Sequence, residues 1–241
     1  MAVNYLEKLG MEFGGGIAAY FTDSSVDMKN QDDVNMFFRE YNLNRDRLTY
    51  STQVHGTKIR LIEEGDVGVV EEADAIITSL SDTPIMIFVA DCVPIAAIDE
   101  KKGVLGLAHC GWKGTYGRLA AKLVESMADN YGCDKTDIKC IIGPSIGPCC
   151  YEVNRELADK FNLEFTNIPS HLYIIREGRY YLDLWGINEE TLAACGINRA
   201  NIRRLDVCTY CGADKLHSYR RDNATSKRLA FILNKSSLGE I

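Results

Sequence analysis

Two histidines and a cysteine follow strand-like segments of this chain, where their side chains could bind a metal ion. His55 follows the segment Leu48–Val54, His109 ends the segment Val104–His109, and Cys92 interrupts an apolar run between them. Imidazole nitrogens and a thiolate suit zinc, and three protein ligands leave a fourth position open, as in catalytic zinc sites. The spacings of 37 and 17 residues do not establish a shared site, so separate packing roles stay open as the alternative.

Cys92 supports a second chemical interpretation. A thiol beside a histidine base, with Asp91 orienting that base, could act as a nucleophile if its pKa is lowered. Cys110 follows His109 directly and could be a further ligand. If the strand alternates regularly, however, Cys110 points to the opposite face of the sheet.

The remaining cysteines indicate the cellular compartment more than a reaction. Nine cysteines, an odd number, favour free thiols in a reducing cytoplasm. Cys208 and Cys211 have a Cys-x-x-Cys spacing that could bind metal or take part in redox chemistry, although no second pair with zinc spacing accompanies them. Packing is the simpler interpretation of the adjacent pair Cys149–Cys150. The stretch Met1–Phe13 is charged and is not expected to be a signal peptide.

Composition excludes several classes of protein. The chain has 241 residues, a net charge of −7, 46% apolar residues and 25% charged residues, values typical of a globular protein. The acidic balance argues against a nucleic-acid partner, which requires clustered basic residues. The longest apolar run, Ile85–Ile98, contains Asp91 and is too short to span a bilayer, so no membrane partner is expected.

Apolar periodicity predicts many strands with interspersed helices. The predicted helices are Asn30–Tyr41, Tyr116–Tyr131, Glu152–Phe161 and Gly186–Ala194. The predicted strands are Ile17–Phe21, Leu48–Val54, Lys58–Glu63, Ala75–Thr78, Ile85–Val89, Ile95–Ile98, Val104–His109, Ile138–Ile142 and Ile202–Asp206, with Ser226–Leu233 as helix or strand. This order predicts an α/β (α+β layered) fold, a mixed β-sheet flanked by helices. No linker divides the chain, so residues 1–241 are expected to form a single domain.

Several motifs in order along the chain resemble those of the YfiH/laccase-domain family. They are Gln53-Val54-His55-Gly56, Ala73-Asp74-Ala75, Ala90-Asp91-Cys92-Val93-Pro94, Ala108-His109-Cys110-Gly111-Trp112-Lys113-Gly114-Thr115, Ile142 to Val153, Asp183-Leu184-Trp185 with Asn188, Cys208-Thr209, and Ser218-Tyr219-Arg220-Arg221-Asp222. The resemblance extends from about Gly14 to the C-terminus. It implies a YfiH-like α/β domain with a zinc ion on His55, Cys92 and His109.

The resemblance also implies an activity. The family is described as zinc-dependent purine nucleoside phosphorylases with adenosine deaminase and S-methyl-5'-thioadenosine phosphorylase activity, acting on purine nucleosides and phosphate. Deamination requires a water that is activated at neutral pH, which zinc can supply. It also requires a proton carrier, for which Asp91 and Asp74 are both candidates.

Phosphorolysis requires groups that hold a phosphate dianion. The candidates are Lys113, Arg220 and Arg221, together with the Gly143–Gly147 loop containing Ser145. Gln53, in the first motif, is a further candidate for substrate binding. The alternatives are a solvated arginine pair and a tight turn. The chain departs from the usual family motif by having Cys110-Gly111-Trp112-Lys113 in place of Ala-Gly-Trp-Arg, and Lys lacks the planar fork for bidentate phosphate contact.

Three other functions stay open at this point. Older family labels imply a copper-dependent polyphenol oxidase (laccase), but such a centre needs many histidines and the chain has four; copper could also occupy the zinc site adventitiously. A peptidoglycan-precursor editing hydrolase would use Cys92 as its nucleophile, and its activity would survive metal chelation. A non-enzymatic metal-binding protein would hold zinc without turnover. The sequence does not define the oligomeric state.

Overall fold

The structure is a computed structural model that describes residues 10–166, 172–212 and 215–237. The first nine residues of the predicted non-signal stretch therefore lie outside the described residues. The strands are β1 (Gly10–Phe13), β2 (Ile17–Phe21), β3 (Thr49–Ser51), β4 (Ile59–Ile62), β5 (Val69–Val70), β6 (Ala75–Thr78), β7 (Ile85–Val89), β8 (Val93–Asp99), β9 (Val104–Cys110), β10 (Lys139–Ile142), β11 (Glu152–Val153), β12 (Tyr173–Arg176), β13 (Arg179–Leu182), β14 (Ile202–Arg204) and β15 (Leu229–Lys235). The α-helices are α1 (Gln31–Glu40), α2 (Trp112–Tyr116), α3 (Leu119–Tyr131), α4 (Arg155–Glu164) and α5 (Leu184–Ala194).

The strands form two six-stranded mixed sheets and one small sheet. The first sheet has the order β1-β2-β15-β7-β3-β5, and the second has the order β14-β10-β8-β9-β6-β4. The third contains β11, β13 and β12, all antiparallel. In the first sheet β3 is parallel to both β5 and β7, so these three strands end at the same edge.

Strand alternation assigns the two faces of each large sheet to different layers. In β7, Ile85, Ile87 and Val89 belong to a core between the sheets, while Met86 and Phe88 face a second core containing α1. In β9, Leu105 and Leu107 face the central core, and Cys110 lies on the opposite face against the helices. Strands that are buried on both faces explain the continuous apolar runs of the sequence.

The helices form the two outer layers. Helix α1 begins after Asn30, whose side chain accepts hydrogen bonds from the N–H groups of Asp32 and Asp33. Its buried Val34, Phe37 and Phe38 pack on the first sheet. Helix α3 packs Leu119, Leu123 and Met127, among others, on the second sheet. The layers therefore run helix, sheet, sheet, helix, which confirms the predicted α/β class but with two large sheets where a single mixed sheet was expected.

Two predicted helices have different bounds in the structure. The segment expected as one helix, Tyr116–Tyr131, begins earlier and is interrupted, because Arg118 has a left-handed φ of 56° between α2 and α3. The helix predicted at Glu152–Phe161 begins instead at Arg155, where the Asn154 side chain caps the N–H of Leu157. Glu152 and Val153 form a short strand before that cap.

No helix among the described residues is both long enough and apolar enough to cross a bilayer. Helix α3, with 13 residues, is the longest α-helix there, and a spanning helix needs about 20 residues.

Candidate metal centre and adjoining pocket

The candidate site lies where the chain passes from the first sheet to the second. Three connections make this passage, and each leaves the common edge of β3, β5 and β7. They carry His55 after β3, Asp74 after β5 and Cys92 after β7. His109 completes the group from the end of β9, in the second sheet.

The structure brings the three predicted ligand residues together. One nitrogen each of His55 and His109 and the sulfur of Cys92 lie within 4.8 Å of one another. The two imidazole rings are nearly perpendicular, with an interplanar angle of 76° and centroids 4.9 Å apart. His109 is buried, Cys92 is half-buried and His55 is exposed, so the group opens to solvent on the His55 side.

Asp74 holds two of the three candidate ligands, His55 and His109, in place through hydrogen bonds. Its fully buried carboxylate accepts hydrogen bonds from the backbone N–H groups of Val54, His55 and Gly56 at 3.3, 2.9 and 2.6 Å. One of its oxygens also lies 3.0 Å from Nδ1 of His109. An Nδ1–H donated to a carboxylate leaves Nε2 as the ligand atom, which is the usual arrangement behind a metal-binding histidine.

The ionisable groups of the site stabilise one another's charged forms. Burial opposes ionisation of Cys92, but His109 and His55 outweigh it and lower its pKa to about 6. Burial also lowers the pKa of His109, but the Cys92 thiolate and Asp74 raise it to about 9. Burial raises the pKa of Asp74, but the hydrogen bonds from His109 and the backbone N–H groups outweigh it and lower that pKa.

The backbone conformation near the candidate ligands allows little variation in residue type. His55 and Asp91 adopt positive φ values of 59° and 91°, which non-glycine residues rarely do outside constrained sites. Gly111 approaches the ligands so closely that a Cβ there would lie 2.9 Å from the Cys92 sulfur and 3.4 Å from the His55 ring. Glycine at this position leaves room for the ligand side chains.

A cavity of about 620 Å³ adjoins the three candidate ligands. Its lining contains His55, Cys92, His109 and Asp91, and also aromatic and basic side chains. The aromatic residues are Tyr50, Phe88, Tyr151 and Tyr219, and the basic residues are Lys29, Arg220 and Arg228. A cavity of this size suits a small organic ligand.

Asp91 lines this cavity and is held by two donors. It accepts from the Thr209 hydroxyl at 2.6 Å and from the backbone N–H of Arg220 at 2.7 Å. Gln53 also lines the cavity, but its side-chain amide bonds both the N–H and the carbonyl of Phe88 at 2.8 Å. Gln53 therefore ties the connection after β3 to β7.

Three of the residues expected at the substrate site lie elsewhere. Lys113 is exposed on α2, near the Trp112 ring and outside the cavity lining. The Arg221 guanidinium is engaged by Asp222 and by the carbonyls of Thr209 and Leu216. Ser145 is fully buried and accepts a hydrogen bond from Trp185 Nε1 at 2.5 Å. These contacts occupy Arg221 and Ser145 in the structure itself.

Two basic residues of the cavity were missed by the sequence reasoning. Lys29 lies 3.8 Å from the centroid of the Phe88 ring, and Arg228 lies near Tyr219. Burial lowers the pKa of Lys29, and the charge of Arg228 lowers it further. Neither residue belongs to a motif that the sequence analysis singled out. Only the tertiary fold identifies Lys29 and Arg228 as part of the cavity lining.

Comparison with known proteins agrees with this fold and site. The chain belongs to the family described as multi-copper polyphenol oxidoreductase laccase, whose model matches residues 20–235. It is 36% identical to the purine nucleoside phosphorylase YlmD of Geobacillus stearothermophilus over 75% of this chain and 69% of that one. It is 32% identical to adenosine deaminase RL5 of an unknown prokaryotic organism, over 76% and 73%.

Solved structures show the same architecture. The crystal structure of YlmD from G. stearothermophilus matches with a TM-score of 0.84 at 26% identity, covering 92% of this chain and 93% of that one. The structure of the Bacillus licheniformis hypothetical protein YfiH gives 0.82 at 25% identity, covering 90% and 92%. The predicted family resemblance and fold are thereby confirmed.

Proposed function

We propose that this protein is a zinc-dependent purine nucleoside phosphorylase that also deaminates adenosine and cleaves S-methyl-5'-thioadenosine. The observation that carries the proposal is the shared cavity, in which a His-Cys-His donor group adjoins three basic and four aromatic side chains. Relatives named purine nucleoside phosphorylase and adenosine deaminase support the phosphorolysis and the deamination.

The donor group fits zinc. Two imidazole nitrogens and a thiolate form a borderline-soft set of three ligands, and all three residues line the cavity. A zinc ion held by them would have a coordination position left for a water molecule or a substrate atom. The Cys92 thiolate is formed near neutral pH, and Asp74 fixes the ring of His109. Zinc bound there would polarise a substrate atom or lower the pKa of a water molecule to about 7.

The basic residues would bind phosphate. Lys29, Arg220 and Arg228 line one cavity of a chain whose net charge is −7, and a dianion between them would relieve the repulsion between Lys29 and Arg228. In phosphorolysis a phosphate oxygen bonds to the ribose C1' while the bond from C1' to the purine nitrogen breaks. The purine leaves with the electron pair of that bond and takes up a proton.

Asp91 is the better placed of the two proposed proton carriers. It lines the cavity, whereas Asp74 is fully buried and accepts from three N–H groups and His109. Thr209 and the Arg220 N–H hold the Asp91 carboxylate in place. In this proposal Asp91 exchanges the proton with the purine, Asp74 positions His109, and the aromatic rings contact the base.

We also propose a single domain in a reducing cytoplasm. The first and last described strands, β1 and β15, belong to one sheet together with β7 from the middle of the chain, which supports one folding unit. All nine cysteines are free thiols, which agrees with a reducing compartment.

A thiol hydrolase is a second candidate because of one specific arrangement. Cys92, His109 and Asp74 form a hydrogen-bonded series, with the thiol on one side of the imidazole and the carboxylate on the other. This is the order of nucleophile, base and orienting acid in cysteine hydrolases. The orienting acid is therefore Asp74 and not Asp91 as predicted from the sequence, because the Asp91 carboxylate accepts from the Thr209 hydroxyl and a backbone N–H instead. Such an enzyme would hydrolyse a peptidoglycan precursor, and its activity would not require a metal ion.

Copper oxidation has less support from the donor groups. Among the described residues, one candidate metal group contains histidine, namely His55 with Cys92 and His109. A polyphenol oxidase of the multi-copper type needs several histidine-rich centres. Copper at the single group would displace zinc, so we propose that any oxidase activity is adventitious.

Product chromatography after incubation with adenosine tests the proposal. Zinc-loaded protein should form adenine and ribose 1-phosphate when phosphate is present, and inosine without phosphate. Cys92→Ser should lose both activities, whereas Cys195→Ser should retain them, because Ser can keep the hydrogen bond that Cys195 donates to the Leu192 carbonyl. Unchanged adenosine from folded, zinc-loaded protein would refute the nucleoside assignment.

A further inference from the structure

Four cysteines outside the pocket converge from two separate segments. Cys149 and Cys150 lie in the turn after Pro148, and Cys208 and Cys211 lie in the loop after β14. Their four sulfurs all lie within 4.8 Å of one another. Two of the separations, Cys149 to Cys211 and Cys150 to Cys211, are 3.6 and 3.2 Å.

These separations match the coordination shell of a single ion. With Zn–S bonds of about 2.3 Å, the sulfurs of a tetrahedral site lie about 3.8 Å apart. A cluster of several irons holds its cysteine ligands further from one another, because bridging sulfides and metals lie between them. Four thiolates around one centre are typical of structural zinc.

Backbone hydrogen bonds hold together the two segments that carry the four sulfurs. Ser145 pairs with Cys208 in a parallel bridge, with hydrogen bonds from Ser145 to the Val207 carbonyl and from Thr209 to the Ser145 carbonyl. The N–H of Gly147 donates to the Cys208 sulfur at 3.3 Å. Peptide N–H groups that point at a sulfur stabilise its thiolate form.

The four sulfurs differ in their exposure to solvent, since Cys208 is buried and Cys150 is half-buried. A divalent cation would offset the repulsion among four thiolates brought this close together. Exposed Cys149 and Cys211 give the ion a route from solvent.

We propose that Cys149, Cys150, Cys208 and Cys211 bind one structural zinc ion, separate from the ion at His55, Cys92 and His109. This second ion joins the two segments beside the pocket. Tyr151, which lines the pocket, follows Cys150 directly, and Thr209, which holds Asp91, follows Cys208 directly. The ion thereby fixes two walls of the pocket without contacting the substrate.

Zinc analysis of the wild-type protein and three variants tests this site independently of enzymatic activity. Wild-type protein purified under reducing conditions should carry about two zinc ions per chain, and Cys195→Ser should match it. Cys92→Ser, and the double variant Cys208→Ser with Cys211→Ser, should each carry about one. Unchanged zinc content in a folded double variant would overturn the proposal.

Cobalt substitution covers the case in which the double variant fails to fold. In metal-depleted Cys92→Ser protein the four-cysteine group is intact, so added Co²⁺ should produce intense thiolate-to-cobalt charge transfer and tetrahedral d–d absorption. Absence of these bands would overturn the proposal. Mass spectrometry of freshly purified, alkylated protein gives a further check, because a disulfide among the four cysteines would also overturn it. Loss of nucleoside activity does not change any of these readouts.

Discussion

At the scale of single residues, Asp74 organises the candidate metal centre more than any ligand does. It fixes the backbone of the turn that presents His55 and the tautomer of His109. One carboxylate thus positions two ligands that are 54 residues apart in sequence. The three proposed ligands were identifiable from residue type and motif, but the role of Asp74 required the geometry.

Asp74→Asn should weaken zinc binding at this centre by about 10- to 100-fold, the usual effect of removing a carboxylate behind a ligand histidine. The Asn amide N–H₂ cannot accept from the backbone, so at least one N–H group of the turn also loses its partner. Competition with a chromophoric chelator measures the affinity. Asp99→Asn is the control, since Asp99 is equally buried and accepts from the N–H groups of Lys101 and Lys102. Equal affinities for Asp74→Asn and wild type would contradict the role of Asp74.

Cys92 should react as a thiolate in metal-depleted protein. Its pKa of about 6 predicts that iodoacetamide labelling rises with pH and is half-maximal near pH 6, because only the ionised form reacts. Peptide mass spectrometry across a pH series gives the profile. Cys140, whose pKa is raised by burial, should stay unlabelled. Half-maximal labelling of Cys92 near the pKa of an ordinary thiol, about 8.5, would disagree with the structure.

At the scale of elements, the site is set by three connections that leave one sheet edge. Parallel strands place their carboxyl ends together, and β3, β5 and β7 are parallel neighbours. The sequence indicated β3 and β7 separately, but it did not indicate the two-residue strand β5. It could not indicate that His55, Asp74 and Cys92 follow strands of one sheet, because strand order depends on contacts between distant segments.

The predicted helix bounds were wrong where a side-chain cap or a left-handed residue outweighed apolar periodicity. Asn154 caps α4 three residues after the predicted start, and a left-handed Arg118 separates α2 from α3. The hairpin of β12 and β13 was missed, and its two-residue turn, Glu177-Gly178, has positive φ at both positions although Glu rarely adopts that conformation. These differences lie outside the metal centre.

Gly111→Ala should disturb the metal centre through the start of α2. The added Cβ would lie 2.9 Å from the Cys92 sulfur, so the ligand must move, and zinc affinity should fall by about tenfold or more. The same chelator competition measures this loss. Gly65→Ala is the matched control, because no atom lies within 4 Å of its added Cβ. Wild-type affinity in Gly111→Ala would show that the ligands tolerate the displacement.

At the scale of the whole molecule, the fold concentrates positive charge in one cavity of an acidic chain. Lys29, Arg220 and Arg228 come from opposite ends of the sequence and line the same cavity. The motif-based expectation of Lys113, Arg220 and Arg221 shares one member with this group. The neighbours Arg220 and Arg221 do not share a role, because Arg221 turns towards Asp222 while Arg220 lines the cavity. Adjacency in sequence therefore did not predict which basic residues line the cavity.

Arg228→Gln and Lys29→Gln should each raise the KM for phosphate by about tenfold, the effect of losing one charge-assisted contact of about 1.4 kcal/mol. Deamination of adenosine uses no phosphate, so its kcat/KM should change much less. Initial rates at varied phosphate and varied adenosine separate the two effects. Lys122→Gln, an exposed change on α3, controls for net charge. Equal losses in both reactions would contradict a phosphate role.

Zinc titration into metal-depleted protein, with adenosine consumption followed in phosphate buffer, is the decisive measurement of whether this protein is a zinc-dependent nucleoside enzyme. We expect no turnover before zinc is added and recovery of turnover as the His55, Cys92 and His109 centre fills. Cys92→Ser should not recover at any zinc concentration. Full turnover in metal-depleted protein would contradict a zinc enzyme and favour Cys92 as a nucleophile, and adenosine returned unchanged by zinc-loaded protein would contradict the nucleoside function itself.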